Sequence, residues 1–234
     1  MTTPGTPRTE QEAIEIQREL ARRVRVDQPM PVPPRFVAGV DVAYASDSSA
    51  GGRLAGAVVV LDLADDLSVV ASATATGVAD FPYVAGLLAF REIPILLAVL
   101  DQLAVRPDLL VCDGYGVAHP RRCGLASHLG VLTGIPAFGV AKTAFVDTDG
   151  EVPRERGGGA DLVDGGEVVG RALRTRTGVA PVYVSAGHLI DLDQAAAITL
   201  RLTPSFRLPE TTRLADRASR EALRGQRGDL FRSR

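Results

Sequence analysis

Residues Asp108–Asp113 read Asp-Leu-Leu-Val-Cys-Asp, four apolar side chains in a row between two acids. A strand with one face in water alternates polar and apolar residues. One that is apolar on both faces must be covered on both, the situation of a central strand in an α/β sheet. Asp113 therefore stands at the end of such a strand, where open α/β sheets bind their ligands. A glycine-interrupted loop with His119, Pro120, Arg121 and Arg122 follows, then a helical segment over Arg122–Leu132. A carboxylate beside glycines, a histidine and paired arginines suits a metal ion and a phosphodiester.

The flanking sequence says what kind of sheet surrounds this strand. Glu10–Val26 carries Ile14, Ile16, Leu20, Ala21 and Val24 among charges, the pattern of an amphipathic helix, and prolines 29, 31, 33 and 34 end it as an extended linker. Arg35–Ala45, Leu54–Leu63 and Leu67–Thr76 read as strands whose short connections make an antiparallel meander. Leu87–Val105 is a long apolar segment in which Pro94 either kinks a helix or divides two. After the central strand come a strand at Ala137–Ala141, a glycine-rich stretch Thr148–Gly166 read as a mobile loop, and strands at Glu167–Arg174 and Val179–Ser185. Asp191 with Gln194 forms a capping box for a helix through Leu202. Three antiparallel strands followed by alternating helices and strands predict a single mixed α/β domain over 1–234, with 1–34 as N-terminal helix and linker.

Hydrophobic residues at 46% and charged residues at 23% describe a chain with a sizeable core. No apolar run approaches the roughly 18 residues of a membrane span, and no signal peptide is read, so the expectation is a cytoplasmic protein without a membrane partner. Two cysteines make no disulfide framework. The net charge of −2 hides a local excess: Arg201–Arg234 holds nine arginines against four acids. For residues 218–234 a solvated, partly disordered tail and a phosphate-contacting surface are both open readings. Of the 26 basic residues, Lys142 alone is lysine; a site that needs a compact point charge and chance retention of one surface lysine are both open readings, and on composition alone the second is favoured.

Two further acids can converge with Asp113. Asp41 lies mid-strand in Val-Ala-Gly-Val-Asp-Val-Ala-Tyr, where a carboxylate is costly unless paired, hydrogen-bonded or bound to a cation. Glu92 sits in the apolar Leu87–Val105 segment; taken alone, it is a solvated residue paired with Arg91. Clustered carboxylates repel one another, and a hard divalent cation removes the conflict. Cys112, His119, Cys123 and His128 offer zinc-type ligands, but their spacings match no zinc pattern and Cys112 points away from Asp113 on the strand.

Taken in order, the motifs Gly39–Tyr44 (GVDVAY), Phe81–Glu92 (FPYVAGLLAFRE), Leu109–Gly130, Gly139–Thr143 (GVAKT), Gly170–Arg176, Val182–Leu192 (VYVSAGHLIDL) and Thr212–Asp216 (TRLAD) resemble the endonuclease V family, nucleases that recognise inosine, the product of adenine deamination. The resemblance runs from the N-terminal helix to about Arg217. It implies a ribonuclease H-like mixed sheet with flanking helices and Mg²⁺-dependent hydrolysis, with Mn²⁺ as a substitute. The bond cut would be the second phosphodiester 3′ of the lesion, leaving 3′-hydroxyl and 5′-phosphate ends.

By the same resemblance Asp41 and Asp113 bind metal directly and Glu92 completes the acidic centre. Lys142 and His188 position nucleophile, phosphate or leaving group. Tyr83 occupies the wedge position that fills the gap left by a displaced base, with His119 beside it on the DNA-contacting side; for the Arg121–Arg122 pair, contact with DNA phosphate and locking of the loop are both open readings. Gly86, Leu88, Gly114 and Gly116 resemble the pocket for that base. The expected partner is DNA containing deoxyinosine, acted on by a monomer; the alternatives are an endoribonuclease for inosine-containing RNA and a catalytically silent nucleic-acid-binding module of the same fold, against which the intact Asp41, Glu92, Asp113, Lys142 and His188 set argues. Two positions depart from the family pattern: Tyr115 stands where His or Asn is frequent, and Ala85 where the wedge motif has a second proline.

Overall fold

The computed structural model describes residues 7–45 and 52–232, the side chains after residue 225 excepted. The outer ends of the expected 1–34 and 218–234 segments, residues 1–6 and 233–234, lie outside the described residues. Among those described, all eight strands join one sheet, in the order β3-β2-β1-β4-β5-β8-β7-β6. β1 (Phe36–Tyr44), β2 (Arg53–Asp62) and β3 (Ser68–Val78) form the expected antiparallel meander. β4 (Leu109–Cys112) pairs parallel with β1, and β5 (Ala137–Ala141) pairs parallel with β4. These five strands are the ribonuclease H-like core. β8 (Val182–His188), β7 (Glu167–Leu173) and β6 (Gly159–Asp164) extend it, each antiparallel to its neighbour.

All four residues of β4 are buried, as their double-sided apolar pattern requires. Leu110 and Cys112 face a core filled by α2 (Ala89–Leu100) and α3 (Leu125–Thr133). Leu109 and Val111 face the other side, which α4 (Leu192–Arg201) covers. α5 (Glu210–Arg232) lies on that second face against β1 and β2, with Ala215 packed on Val59 and Leu61. α1 (Glu10–Ala21) rests on α3.

One alternative left open by the sequence is decided, and two elements differ from the expectation. Pro94 does not divide the apolar segment: α2 is one helix, with the proline in its first half. Thr148–Gly166 is not all loop, because its second half forms β6. Gly165 and Gly166 take positive φ values of 63° and 82°, making the two-residue hairpin turn that joins β6 to β7. Finally, the arginine-rich segment after Glu210 is helical to Arg232, its apolar stripe diluted in sequence by charges.

Gly39 is what lets α5 approach. A Cβ there would lie 2.2 Å from the Thr211 carbonyl, so only a bare backbone admits this contact between strand and helix start. The approach carries the next turns of α5 over the end of β1.

Candidate active site

Because β1, β4 and β5 run parallel, their carboxyl ends lie together. Val40 is in register with Cys112, and Cys112 with Gly139, so Asp41, Asp113 and Lys142 emerge at one end of the sheet. Lys142 Nζ lies 2.5 Å from Asp113 Oδ2. Burial lowers the affinity of this ammonium for its proton, but the hydrogen bond and charge of Asp113 outweigh it and the pKa is raised. Glu92 reaches the same place from α2. Its carboxylate is buried and accepts a hydrogen bond from Tyr44 Oη at 3.1 Å, while the Arg91 guanidinium stacks over the Tyr44 ring.

These acids are electrostatically strained. Burial, then the charges of Asp113 and Asp216, push Asp41 up to about 6, against a hydrogen bond from Ser219 Oγ at 2.8 Å that acts the other way. Burial pushes Glu92 up to about 8, with Asp41 and Asp113 adding to the rise. Buried carboxylates whose pKa is raised further by neighbouring acids, with oxygen as the only donor element, are the chemistry a hard divalent cation fits. Among the described residues no three His, Cys, Asp or Glu side chains are yet gathered closely enough to enclose an ion. Asp113 is turned to Lys142 instead.

Asp216 is the acid that residue-by-residue reading passed over. It lies on α5, feels Asp41 and Lys142, and takes a 2.9 Å hydrogen bond from Arg220 Nε. A cleft lined by Asp113, Lys142, Thr212, Asp216 and Arg220 joins it to the strand ends. The signal was present, since Asp216 closes the Thr-Arg-Leu-Ala-Asp motif, but the surrounding charges made it look like one more solvated residue.

Beside the acids lies a cavity of about 380 Å³ whose lining includes Tyr83, Gly86, Leu88, Glu92, Asp113 and Gly114. Tyr83 projects into solvent with 73% of its surface exposed. Gly86 has φ +78°, and its carbonyl accepts three hydrogen bonds: from Gln17 Nε2 at 2.9 Å, His119 Nε2 at 3.0 Å and Arg121 Nη2 at 2.8 Å. Gln17, almost fully buried on α1, also donates to the Cys123 carbonyl and accepts from Arg121 Nε. It is a second residue that sequence reading missed. Its signal was a glutamine on the stripe Ala13, Gln17, Leu20, spaced as a buried helix face.

This geometry shows which of the two readings of the arginine pair the contacts match, and corrects other sequence expectations. Arg121 is fastened to Gln17 and Gly86, and Arg122 to Asp164, Glu167 and the His119 carbonyl, so both guanidiniums lock the loop. His119 Nδ1 accepts from the Arg121 amide, which leaves Nε2–H to donate to Gly86. Burial and the Arg121 charge hold this ring near a pKa of about 4, hence neutral.

Gly116 does not line the cavity. Its amide donates to Ser185 Oγ, and a Cβ would lie 2.0 Å from the Ala186 carbonyl, so its bareness serves contact with β8; Gly124 lines the cavity instead. His188 is not brought to the acids. It pairs with Ala137 at the start of β5, whereas Lys142 follows its end. The antiparallel direction of β8 carries the histidine to the opposite end of the sheet, where Nδ1 accepts from the Arg25 amide at 3.3 Å. Cys112 and Cys123 are buried free thiols in two separate core clusters, consistent with the weakness of the zinc pattern.

The sequence family described as endonuclease V matches residues 18–217. The endonuclease V of Streptomyces avermitilis is 57% identical over 221 residues, 94% of this chain and 95% of that protein. A crystal structure of that S. avermitilis protein superposes with a TM-score of 0.89, covering 95% of this chain and 96% of the other. A crystal structure of Ciona intestinalis endonuclease V, in complex with a 24mer DNA containing an inosine followed by a ribo-adenosine, is 29% identical with a TM-score of 0.77, covering 90% of this chain and 96% of that one. Similarity of this extent, in sequence and in fold, leaves one conclusion: the chain belongs to the endonuclease V family of nucleases.

Proposed function

We propose that this protein recognises inosine in DNA and hydrolyses the second phosphodiester bond 3′ of it, as a DNA-repair nuclease using Mg²⁺ or Mn²⁺. Endonuclease V enzymes are metal-dependent nucleases. The observation that carries the reading is one shared wall: Glu92, Asp113 and Lys142 line the same cavity as Tyr83, Gly86, Leu88 and Gly114. A base displaced into that cavity leaves its own strand lying across the acids. The DNA-bound relative from Ciona supports the choice of ligand.

Asp41 and Asp113 are assigned to hold the ion, with Glu92 and Asp216 completing the centre directly or through water. When bound, Mg²⁺ would supply charge stabilisation at the phosphate and an activated water. Lys142, aimed by Asp113, presents a point charge to a phosphate oxygen at the cleft mouth. Tyr44 keeps the Glu92 carboxylate oriented by donating from Oη to Oε1. Tyr83 is placed to fill the gap in the stack, and extrusion is least costly for a base whose pairing is already weakened. The cavity wall reads the base by backbone groups and by Leu88. His188 is assigned here to anchoring the linker after α1.

One chain supplies every group from Gln17 to Arg220, which supports action as a monomer, and the single eight-stranded sheet supports one domain. Among the described residues no helix is long and apolar enough to cross a membrane. Two buried free thiols favour the reducing cytoplasm.

The test is a cleavage assay on end-labelled DNA and RNA strands, each with a single inosine or with adenosine in its place, in Mg²⁺ and in EDTA. The expected result is one Mg²⁺-dependent cut in the DNA strand, one nucleotide beyond the bond that adjoins inosine. No cut near inosine in either strand would reject the reading. A cut confined to RNA would replace DNA by RNA as the substrate.

A further inference from the structure

The loop after β5 carries a ring that the chemistry above leaves unused. Phe145 follows Lys142 by three residues and lines the cavity, yet 49% of its surface is exposed. It is nevertheless well held. Its ring packs on Tyr115 with centroids 4.3 Å apart and planes 41° apart, and it meets His119 edge-on at 5.9 Å and 88°. Tyr115 is tied down in turn: its hydroxyl donates to the Thr143 carbonyl at 3.0 Å and lies 3.2 Å from Thr143 Oγ1. This side chain, one of the two departures from the family pattern, thus fastens the loop that carries the aromatic ring.

We propose that Phe145 is a specificity-determining residue that stacks on the displaced base, and that Tyr115 is the positioning residue that sets the plane of its ring. The proposal rests on reading the cavity as the base pocket. An exposed phenyl ring fixed by its neighbours gains little until a flat apolar surface covers it, and a purine is such a surface. Stacking on an aromatic side chain needs no particular base edge. The division of labour follows: backbone groups and Leu88 discriminate the edge, while Phe145 supplies affinity for a purine face. His119 meets the Phe145 ring edge-on and so helps to hold its plane.

The experiment measures equilibrium binding in EDTA by fluorescence anisotropy, so that no strand is cut, with otherwise identical inosine and adenosine oligonucleotides. Proteins compared are wild type, Phe145→Trp, Phe145→Leu, Phe145→Ala and Tyr115→Phe. Stacking predicts that Phe145→Ala weakens binding of the inosine strand by about 5- to 100-fold, with Leu nearly as weak and Trp close to wild type. The adenosine strand should bind all five proteins alike. In steady-state cleavage Tyr115→Phe, which keeps the ring and loses the tether, should raise KM and leave kcat and Tm unchanged. If Phe145→Leu binds the inosine strand as wild type does, or if Phe145→Ala weakens both strands equally, the ring does not stack on the displaced base. A kcat loss without a KM change would remove Tyr115 from its assigned role. If wild type itself shows no preference for inosine, the base-pocket reading fails and this inference falls with it, a result distinguishable because it precedes any substitution.

Discussion

The cavity wall around Gly86 and the acidic centre next to it meet at Glu92 and Asp113, but their polar groups are in opposite conditions. In the wall the donors and acceptors are matched: one carbonyl takes three hydrogen bonds, and Gln17 uses both its amide nitrogen and its oxygen. In the centre, Asp41 and Glu92 are held above their ordinary pKa values by burial and by the charges of nearby acids. A binding surface gains from rigidity, because ordering it beforehand removes a cost at the moment of binding. A metal centre gains from unrelieved negative charge, because the ion then stabilises it. Fold stability and function coincide in the wall and oppose one another at the acids.

The largest expected effect breaks the acidic side alone. Asp216→Asn should lower kcat by about 100- to 1,000-fold, the scale of losing one preorganised charge-stabilising group. Because it also removes repulsion, the metal-free protein should melt no lower than wild type. Cleavage close to wild type would return Asp216 to the role of a partner for Arg220. Gln17→Ala attacks the wall. Leaving Arg121 and two carbonyls with lost bonds should cost about 1–3 kcal/mol. At about 2–4 °C per kcal/mol for a chain of this size, calorimetry would resolve the drop. Its kinetic signature should be a raised KM with kcat largely kept. An unchanged Tm would mean that Gln17 does not hold the wall.

A smaller effect separates the two regions by pH. Above their ordinary pKa values, 3.8 and 4.5, Asp41 and Glu92 are ionised in the unfolded chain, while the folded chain keeps them protonated up to about 6 and about 8. The folded state therefore binds more protons, and the contribution of these groups to stability falls as pH rises from about 4 to about 8. In EDTA, thermal melts over that range should show this decline, and Asp41→Asn should flatten its lower part. Saturating Mg²⁺ at pH 8 should recover the loss. A decline identical with and without Mg²⁺ would separate it from the acids. The smallest effect is expected at His188→Asn: kcat stays near wild type, with at most about 1 kcal/mol lost with its bond to Arg25. A collapse of kcat with an intact fold would restore the histidine to the active site.

How much of this was legible in the sequence depended on whether the signal was local. The doubly apolar Leu109–Cys112 run announced a central strand and placed Asp113 at its end, and the meander before it followed from short turns. Asp41 was conspicuous because a lone carboxylate among valines is costly. The direction of β8 was not legible. Nothing near His188 says that β8 runs against β5, and that alone moves it to the far end of the sheet. Gln17 and Asp216 were hidden for a related reason. Each looks like an ordinary polar residue on a helix until residues 69 to 175 positions away in sequence close around it, Gly86 in one case and Asp41 in the other.

The three hydrogen bonds on the Gly86 carbonyl bear on how the protein is made. Gln17 emerges early in synthesis, but its partners lie 69, 104 and 106 residues later. At the acids the delay is longer, since Ser219 bonds Asp41 across 178 residues. Contacts this distant along the chain close late, after the loops between them have been ordered. A growing polypeptide on the ribosome consequently has no finished cavity wall until Cys123 has been added, and no finished acidic centre until Ser219 has. The nuclease is disarmed through most of its own translation by the order in which its parts appear.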